Sequence, residues 1–252
     1  MQRLAVLPVF GLTSGHVRVL DVGAGTGAMC LDMAWACGPQ AQIMAVDSDG
    51  HSVALLQEMA SMLGCGVESR LGEAYCLPVE SSSQDLTVSR FLFQHLDRPA
   101  LALDEMVRVT APGGRVAVME VDDGAWLSHP AEASPLERLN DAVRRLQAST
   151  AAGRHVGRQL YQMFRSSGLI ELQILAVPRV RLGTYYGRNA ELEMHQKEYY
   201  LNYREPLIAA GLITVREFDD AMLALEQSFS NDDFGFACEF LAMGRVPPSA
   251  AN

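Results

Sequence analysis

Three glycines fall at alternate positions in Val19-Leu20-Asp21-Val22-Gly23-Ala24-Gly25-Thr26-Gly27. Glycines so spaced, straight after an apolar run, let the backbone turn tightly and approach a ligand without Cβ interference. Asp47 lies twenty residues beyond Gly27, where a carboxylate accepts hydrogen bonds from ribose hydroxyls. Together they point to a nucleoside-containing cofactor. The pattern alone leaves its kind open, because Gly23, Gly25 and Ala28 also satisfy the dinucleotide motif G-x-G-x-x-[GA]. A turn followed by a helix cap, with no ligand, is the plainer reading.

The candidates for proton chemistry lie further on. His95 belongs to Phe91–Leu96, a segment expected to face the crevice, and imidazole titrates in the range that suits a general base. Its alternative role is to flank the cofactor or cap the next helix. Glu120, Asp122 and Asp123 follow a strand, and Glu120 and Asp122 share a face if the strand persists that far. Of these, Asp122 is paired with His95 as the catalytic candidates. Such carboxylates orient an amine or accept a hydroxyl proton, or else form a solvated turn. His129, before Pro130, has weaker claims. No His/Glu spacing supports a metal centre, and none is expected.

These residues need elements to hold them, and hydrophobic spacing supplies them. Val17–Val22 reads as a strand buried on both faces. Cys30, Met33, Ala34 and Cys37 mark a helix ended by Gly38-Pro39. Ile43–Val46 is the second strand, and Val53, Leu56, Ala60 and Leu63 mark one face of a second helix. Val67–Leu71 and Asp85–Ser89 continue the series. A helix opening at Pro99 buries Leu103, Met106, Val107 and Thr110, and Arg115–Val121 is a fifth strand. This alternation predicts an α/β fold with a doubly wound parallel sheet, its ligand crevice at the C-terminal strand ends. Beyond residue 123 the rhythm slackens. Pro135–Thr150, Gly157–Ser167 and Ala190–Ala210 read as helices, and Ile170–Leu182 reads as a strand interrupted at Pro178. Thr214 and Glu217 form a capping box for a helix with Phe218, Ala221, Met222 and Leu225 on one face. Phe234–Val246 is a last strand.

The wider pattern resembles class I S-adenosylmethionine-dependent methyltransferases. The residues that carry it are Asp21 before the glycines, Asp47-Ser48, Gly72-Glu73-Ala74 before Leu77-Pro78, Asp85–Arg90, and Arg108-Val109 before Pro112-Gly113-Gly114-Arg115-Val116. The similarity is close over residues 17–121 and looser beyond. It implies a Rossmann-like, seven-stranded, mostly parallel sheet whose final antiparallel strand lies between the fifth and sixth. It also implies one methyltransferase domain over residues 1–252, with a core of 17–122, 168–183 and 232–246 and helical insertions over the active site at 123–167 and 184–231.

For the cofactor, the resemblance implies that Gly23, Ala24, Gly25, Thr26 and Gly27 lie against the methionine and ribose portions. Asp47, with Ser48 beside it, takes the ribose hydroxyls, and Glu73 sits near the adenine amine next to Ala74. Relatives more often have Asp at the place of Glu73. Asp21, Arg90 and Phe91 complete the binding set, and Arg3 is a candidate partner for the cofactor carboxylate. The expected reaction delivers a methyl group to an oxygen, nitrogen or carbon nucleophile of a small molecule, as in quinone and secondary-metabolite biosynthesis. Against this stand a nicotinamide-dependent oxidoreductase and a non-catalytic cofactor-binding scaffold. For the acceptor, Tyr185, Tyr186, Met194, His195, Tyr199, Tyr200 and Tyr203 form an aromatic segment suited to a flat or apolar molecule. Arg144, Arg145, Arg154, Arg158 and Arg165 form a locally basic helical region, solvated or facing an acidic group.

Composition narrows the partners. With 20 Lys+Arg against 30 Asp+Glu, the chain carries a formal charge of −10, which argues against binding nucleic acid or anionic membranes through clustered cations. The five cysteines (Cys30, Cys37, Cys65, Cys76 and Cys238) include no C-x-x-C pair, and they read as reduced core residues of a cytoplasmic protein. No apolar run is long enough for a membrane helix. Leu4–Leu12, after Arg3, has the size of a signal-peptide core but no A-x-A-like cleavage site. Oligomeric state is not legible.

Overall fold

A computed structural model describes residues 17–129, 134–149, 153–182, 190–228 and 234–249. Arg3, Tyr185 and Tyr186 lie outside these residues, as does the Leu4–Leu12 segment. Strands β1 (Arg18–Val22), β2 (Gln42–Asp47), β3 (Val67–Leu71), β4 (Gln84–Arg90) and β5 (Thr110–Val121) alternate with helices α1 (Ala28–Cys37), α2 (Gly50–Leu63) and α3 (Pro99–Val109). There follow β6 (Leu127–His129), α4 (Ser134–Ala148), α5 (Leu160–Ser166), β7 (Ile170–Leu182), α6 (Ala190–Ala209), α7 (Val215–Ser228) and β8 (Phe234–Arg245).

The sheet order is β3-β2-β1-β4-β5-β8, with β1 to β5 parallel and β8 antiparallel to β5. β7 pairs antiparallel with the other edge of β8. This is the expected arrangement of a last antiparallel strand between the fifth and sixth. One strand was not expected: β6, three residues long, pairs Leu127–His129 with Phe234–Phe236 of β8, so the full sheet has 8 strands. It runs along the same edge of β8 as β5. The strand order reverses between β1 and β4, which places the crevice above those two strands.

Alternation along each strand fills both faces of the sheet. Leu20, Val22, Val116 and Val118 point to a core shared with Leu103 and Met106 of α3 and Leu160 and Phe164 of α5. Val19, Ala117 and Met119 point the other way, to Met29, Cys30 and Met33 of α1 and Leu56 of α2. Each such large side chain, fully buried, contributes about 1.5–3 kcal/mol. A third cluster joins α4, α6 and α7 through Leu139, Leu207, Phe218, Ala221 and Leu225.

The capping box forms as expected: Glu217 N donates to Thr214 Oγ1 at 3.2 Å, and Thr214 N donates to Glu217 Oε2 at 2.9 Å. Arg108 pins the loop before β4, donating to Leu77 O at 3.2 Å and Val79 O at 3.1 Å.

Three expectations are corrected. Cys76 is exposed and Cys65 half-buried, so of the five cysteines Cys30, Cys37 and Cys238 are the core residues. Leu63 is 66% exposed; it is the last residue of the helix, next to the left-handed cap Gly64. Pro178 does not interrupt β7, where it pairs with Cys238. β7 is paired by β8 along one edge only, and an edge strand tolerates a missing N–H. The register instead shifts between Ile170 and Gln173, where Glu171 adopts φ 52°.

Candidate active site

The glycine loop leaves β1 and is stitched to β2 before it enters α1. Gly23 N and Ala24 N both donate to Val46 O, at 2.8 and 3.2 Å. Gly25 N donates to Asp47 Oδ2 at 2.7 Å, while the other Asp47 oxygen accepts from Asp49 N at 2.9 Å. Gly25 has φ 53°, and a Cβ built on it would meet nothing within 4 Å. Its face is therefore open space at the loop tip. Gly27 is constrained differently: φ is 90°, and a Cβ would lie 2.1 Å from Leu56 Cδ1. That glycine lets the start of α1 close on α2.

Beneath the loop, Asp21 is 2% exposed, and its Oδ2 has no hydrogen-bond partner among the described residues. Burial pushes its pKa up to about 7, opposed by the charge of Arg90 and by the Cys30 amide. Arg90 stacks on the Phe91 ring with its Cζ 4.2 Å from the centroid. Phe91 itself has φ 60°, a conformation that costs a bulky residue about 1–3 kcal/mol and collects at functional sites. Its N–H donates to Met119 O at 2.9 Å, and its carbonyl accepts from Gln94 Nε2 at 3.1 Å. At the end of β3, Gly72 N donates to Asp47 O at 2.9 Å, which brings Glu73 and Ala74 beside the Asp47 carboxylate's strand. Thr26, Ser48 and Glu73 are exposed and Ala74 is partly buried. The predicted cofactor residues thus gather along one edge, the C-terminal ends of β1 to β4. An open glycine tip beside an anchored carboxylate, over a buried carboxylate oxygen with no partner, fits a ligand carrying ribose hydroxyls and a cationic group. A separate cleft of about 550 Å³ opens at the opposite edge, beside Arg18, Gln42 and Gln84, and shares no residue with this site.

The proton-handling candidates lie across the crevice, beyond β4 and β5. His95 ends a short 3₁₀ turn, Phe93–His95, and is solvent-accessible. Crowding by the protein, with the charge of Arg154, lowers its pKa below the ordinary imidazole value, so it is neutral at pH 7. Glu120 is fully buried; its Oε1 accepts from Phe93 N at 2.5 Å, and its Oε2 has no partner among the described residues. Burial raises its pKa to about 8, against the amide hydrogen bonds that favour ionisation.

Asp122 is also buried, but both of its oxygens are engaged. Arg158 donates Nε to Oδ2 and Nη2 to Oδ1, each at 2.6 Å, and Gly124 N adds 2.9 Å to Oδ1. Burial opposes its ionisation, yet the Arg158 hydrogen bond and charge outweigh it and its pKa is lowered. A carboxylate so held is a poor proton acceptor, so the geometry gives Asp122 the part of a clamp between the end of β5 and the turn at Arg158. His129 stands on β6, exposed.

Residues 19–114 match the family model described as a methyltransferase domain. This stretch runs from β1 to the start of β5 and holds every described residue predicted above for the cofactor. It is a methyltransferase domain.

The domain and its neighbouring segments are 31% identical over 172 residues to an uncharacterized 37.1 kDa protein in transposon TN4556 of Streptomyces fradiae, covering 68% of this chain and 47% of that protein. The ubiquinone/menaquinone biosynthesis C-methyltransferase of Burkholderia cenocepacia is 32% identical over 115 residues, 44% of this chain and 47% of the relative. The chain thus spans about half the length of these curated relatives. Phosphoethanolamine N-methyltransferase 2 of Haemonchus contortus, solved in complex with S-adenosyl-L-methionine, superposes with TM-score 0.59 at 20% identity, over 98% of this chain and 52% of that one. The methyltransferase fold is therefore continuous across the described chain.

The helical segments outside the methyltransferase domain bring together residues that local pattern did not. Arg154 donates Nε to Asp123 Oδ2 at 2.7 Å and Nη1 to Gln94 Oε1 at 3.0 Å. Asp123 N donates to Arg154 O at 2.8 Å, and Gly153 N donates to Gln94 O at 3.2 Å. This short stretch therefore bridges the ends of β4 and β5. Of the basic residues grouped by sequence, Arg154 turns inward, Arg158 pairs with Asp122, and Arg144 meets Asp141 at 3.7 Å. Tyr199, Tyr200 and Tyr203 cluster on α6, with Tyr199 5.2 Å from each of the other two ring centroids. Tyr200 donates to Asn140 Oδ1 at 2.6 Å, a packing role, and Met194 is exposed. The His195 side chain lies outside the described residues. Gln94 escaped the sequence reading; its only signal was adjacency to His95.

Proposed function

We propose that this chain transfers the methyl group of S-adenosylmethionine to an oxygen, nitrogen or carbon nucleophile of a small molecule. The observation that carries the reading is the Gly25–Asp47 pair: a glycine tip opening onto free space, anchored through its amide to the carboxylate that ends β2. Among the described residues the second Asp47 oxygen has the exposed Asp49 amide as its one partner, so the carboxylate has lone pairs to spare for ribose hydroxyls. Glu73 and Ala74 flank the adenine end, and Asp21 with Arg90 underlies the amino-acid end. Relatives named as C- and N-methyltransferases support the reaction class.

The cofactor supplies an electrophilic methyl on a sulfonium. The chain's own work is alignment in a water-poor crevice, which lowers the barrier by pre-paying orientation. The strained Phe91 and the Gln94 bond to its carbonyl fix the floor between cofactor and acceptor. His95, neutral at pH 7, accepts a proton from an acceptor that must lose one. Glu120 keeps its proton and holds the His95 turn through the Phe93 amide. The acceptor lies under the helical segments, and the protein works in the cytoplasm.

The test is to incubate the protein with S-adenosylmethionine and a panel of phenols, amines and quinols, measuring S-adenosylhomocysteine release. Acceptor-dependent release is expected. Binding of nicotinamide cofactors instead, or cofactor binding with no release across the panel, would contradict the proposal.

A further inference from the structure

Arg154 is the cation that the crevice holds without exhausting. Its side chain is 27% exposed, its Nε and Nη1 are fixed by Asp123 and Gln94, and its Nη2 makes no hydrogen bond among the described residues. A guanidinium presents five donors in a rigid plane, so holding Nε and Nη1 fixes the direction of Nη2 between them. The holding residues follow β4 and β5. Nη2 is therefore placed on the acceptor side of the crevice, close enough to His95 for the Arg154 charge to depress that imidazole.

Two aromatic hydroxyls share this surrounding. Gly153, beside Arg154, packs on Ala148 at the end of α4, where a Cβ would lie 3.3 Å from Ala148 Cα, and the preceding Gln147 reaches the Tyr203 and Tyr199 hydroxyls, which lie within electrostatic reach of the guanidinium. Their rings meet edge to face, 5.2 Å apart at 61°. Gln147 Nε2 donates to Tyr203 Oη at 2.7 Å, which fixes that phenol and leaves its proton free to donate. Glu120, a buried carboxyl on β5, is held uncharged by burial, and Asp122 is neutralised by Arg158. Among the described residues, Asp123 is the carboxylate paired to Arg154, through Nε, and Nη2 keeps its hydrogens for a ligand.

We infer that Arg154, with Tyr199 and Tyr203, forms an acceptor subsite for an anionic oxygen, a carboxylate or phenolate, carried on a small aromatic or similarly flat body. The rings supply a flat apolar wall, and the Nη2 edge supplies charge-assisted hydrogen bonds. This rests on the methyltransferase reading and names its substrate class.

The experiment titrates the protein, saturated with S-adenosylhomocysteine, against two matched pairs: para-hydroxybenzoate with para-hydroxybenzamide, and phenylacetate with phenylacetamide. Each acid is expected to bind about tenfold or more tightly than its amide, as one charge-assisted hydrogen bond provides. Arg154→Gln should equalise each pair while leaving S-adenosylhomocysteine affinity unchanged. Arg154→Lys, which keeps the charge and loses the fork, should keep part of the preference. The wild-type comparison needs no variant, so a misfolded Arg154→Gln leaves the test intact. Equal binding of acid and amide, no binding of either acid, or a preference that survives in folded Arg154→Gln would overturn the assignment. The same titration without S-adenosylhomocysteine separates the two claims. An acid preference in a protein that binds no sulfur cofactor would refute the proposed function alone, whereas cofactor binding without acid binding would refute this inference alone.

Discussion

The Asp47 carboxylate receives the Gly25 amide at 2.7 Å, tying the tip of the loop after β1 to the end of β2. One residue thus serves both the loop and the ribose it is proposed to hold. Asp47→Asn keeps the size and one amide acceptor but loses the charge. Its affinity for S-adenosylmethionine should fall about 10–100-fold, the worth of hydrogen bonds to a charged group. Calorimetric titration reads this directly; unchanged affinity would confine Asp47 to a structural role.

The glycines of the loop should separate stability from binding. Gly27→Ala drives a Cβ against Leu56 from both a forbidden φ and a 2.1 Å contact. Its cost is about 2–4 kcal/mol, combining left-handed strain with overpacking, and it lowers the unfolding midpoint. Gly25→Ala carries only the left-handed strain, about 1–2 kcal/mol, but fills the open tip. It should lose more cofactor affinity than stability. Equal effects of the two substitutions on both readouts would contradict this division.

His95→Gln removes the proposed base and leaves the cofactor half untouched. For an acceptor that must be deprotonated, kcat should fall about 10²–10⁴-fold, with S-adenosylhomocysteine affinity unchanged. In the wild type, the acid limb of kcat/KM should lie below the ordinary imidazole value of 6.5, because desolvation by the surrounding protein and the Arg154 charge disfavour the protonated form. A parallel loss of cofactor affinity would place His95 in the cofactor half instead.

Glu120 gives stability a slope with pH. Its carboxyl is raised from 4.5 to about 8 in the folded chain, so between those values the native state keeps a proton that the unfolded chain releases. Stability is then greatest below the unfolded pKa and falls as pH rises towards about 8. Asp21, raised from 3.8 to about 7, acts in the same sense. Glu120→Gln should flatten much of the decline in urea midpoint between pH 5 and 8. A slope identical to wild type would show that Glu120 is ionised in the fold.

What the sequence made legible was local. Glycine spacing, the apolar runs of β1 and β5, and the Thr214–Glu217 box each depend on neighbours within a turn or a strand. The apolar runs predicted the parallel strands; the antiparallel strand between the fifth and sixth came from the resemblance to methyltransferases. The acceptor half was built from pairs far apart in the chain. Asp122 finds Arg158 36 residues on, Glu120 reaches a Phe93 amide 27 residues back, and Arg154 meets Gln94 across 60. No periodicity announces such pairs, so Asp122 read as a free acid and Arg154 as one of several helical cations. Pro178 was misread because its tolerance depends on β7 lying at an edge, which sequence does not reveal.

The central claim is that the loop after β1 and Asp47 form a site for a sulfonium nucleoside. Isothermal titration with S-adenosylmethionine and S-adenosylhomocysteine, with NAD and NADP alongside, tests it most directly. Saturable binding of the sulfur compounds, weakened in Asp47→Asn and absent for the nicotinamides, is the predicted result. Binding of NAD or NADP without the sulfur compounds would contradict it.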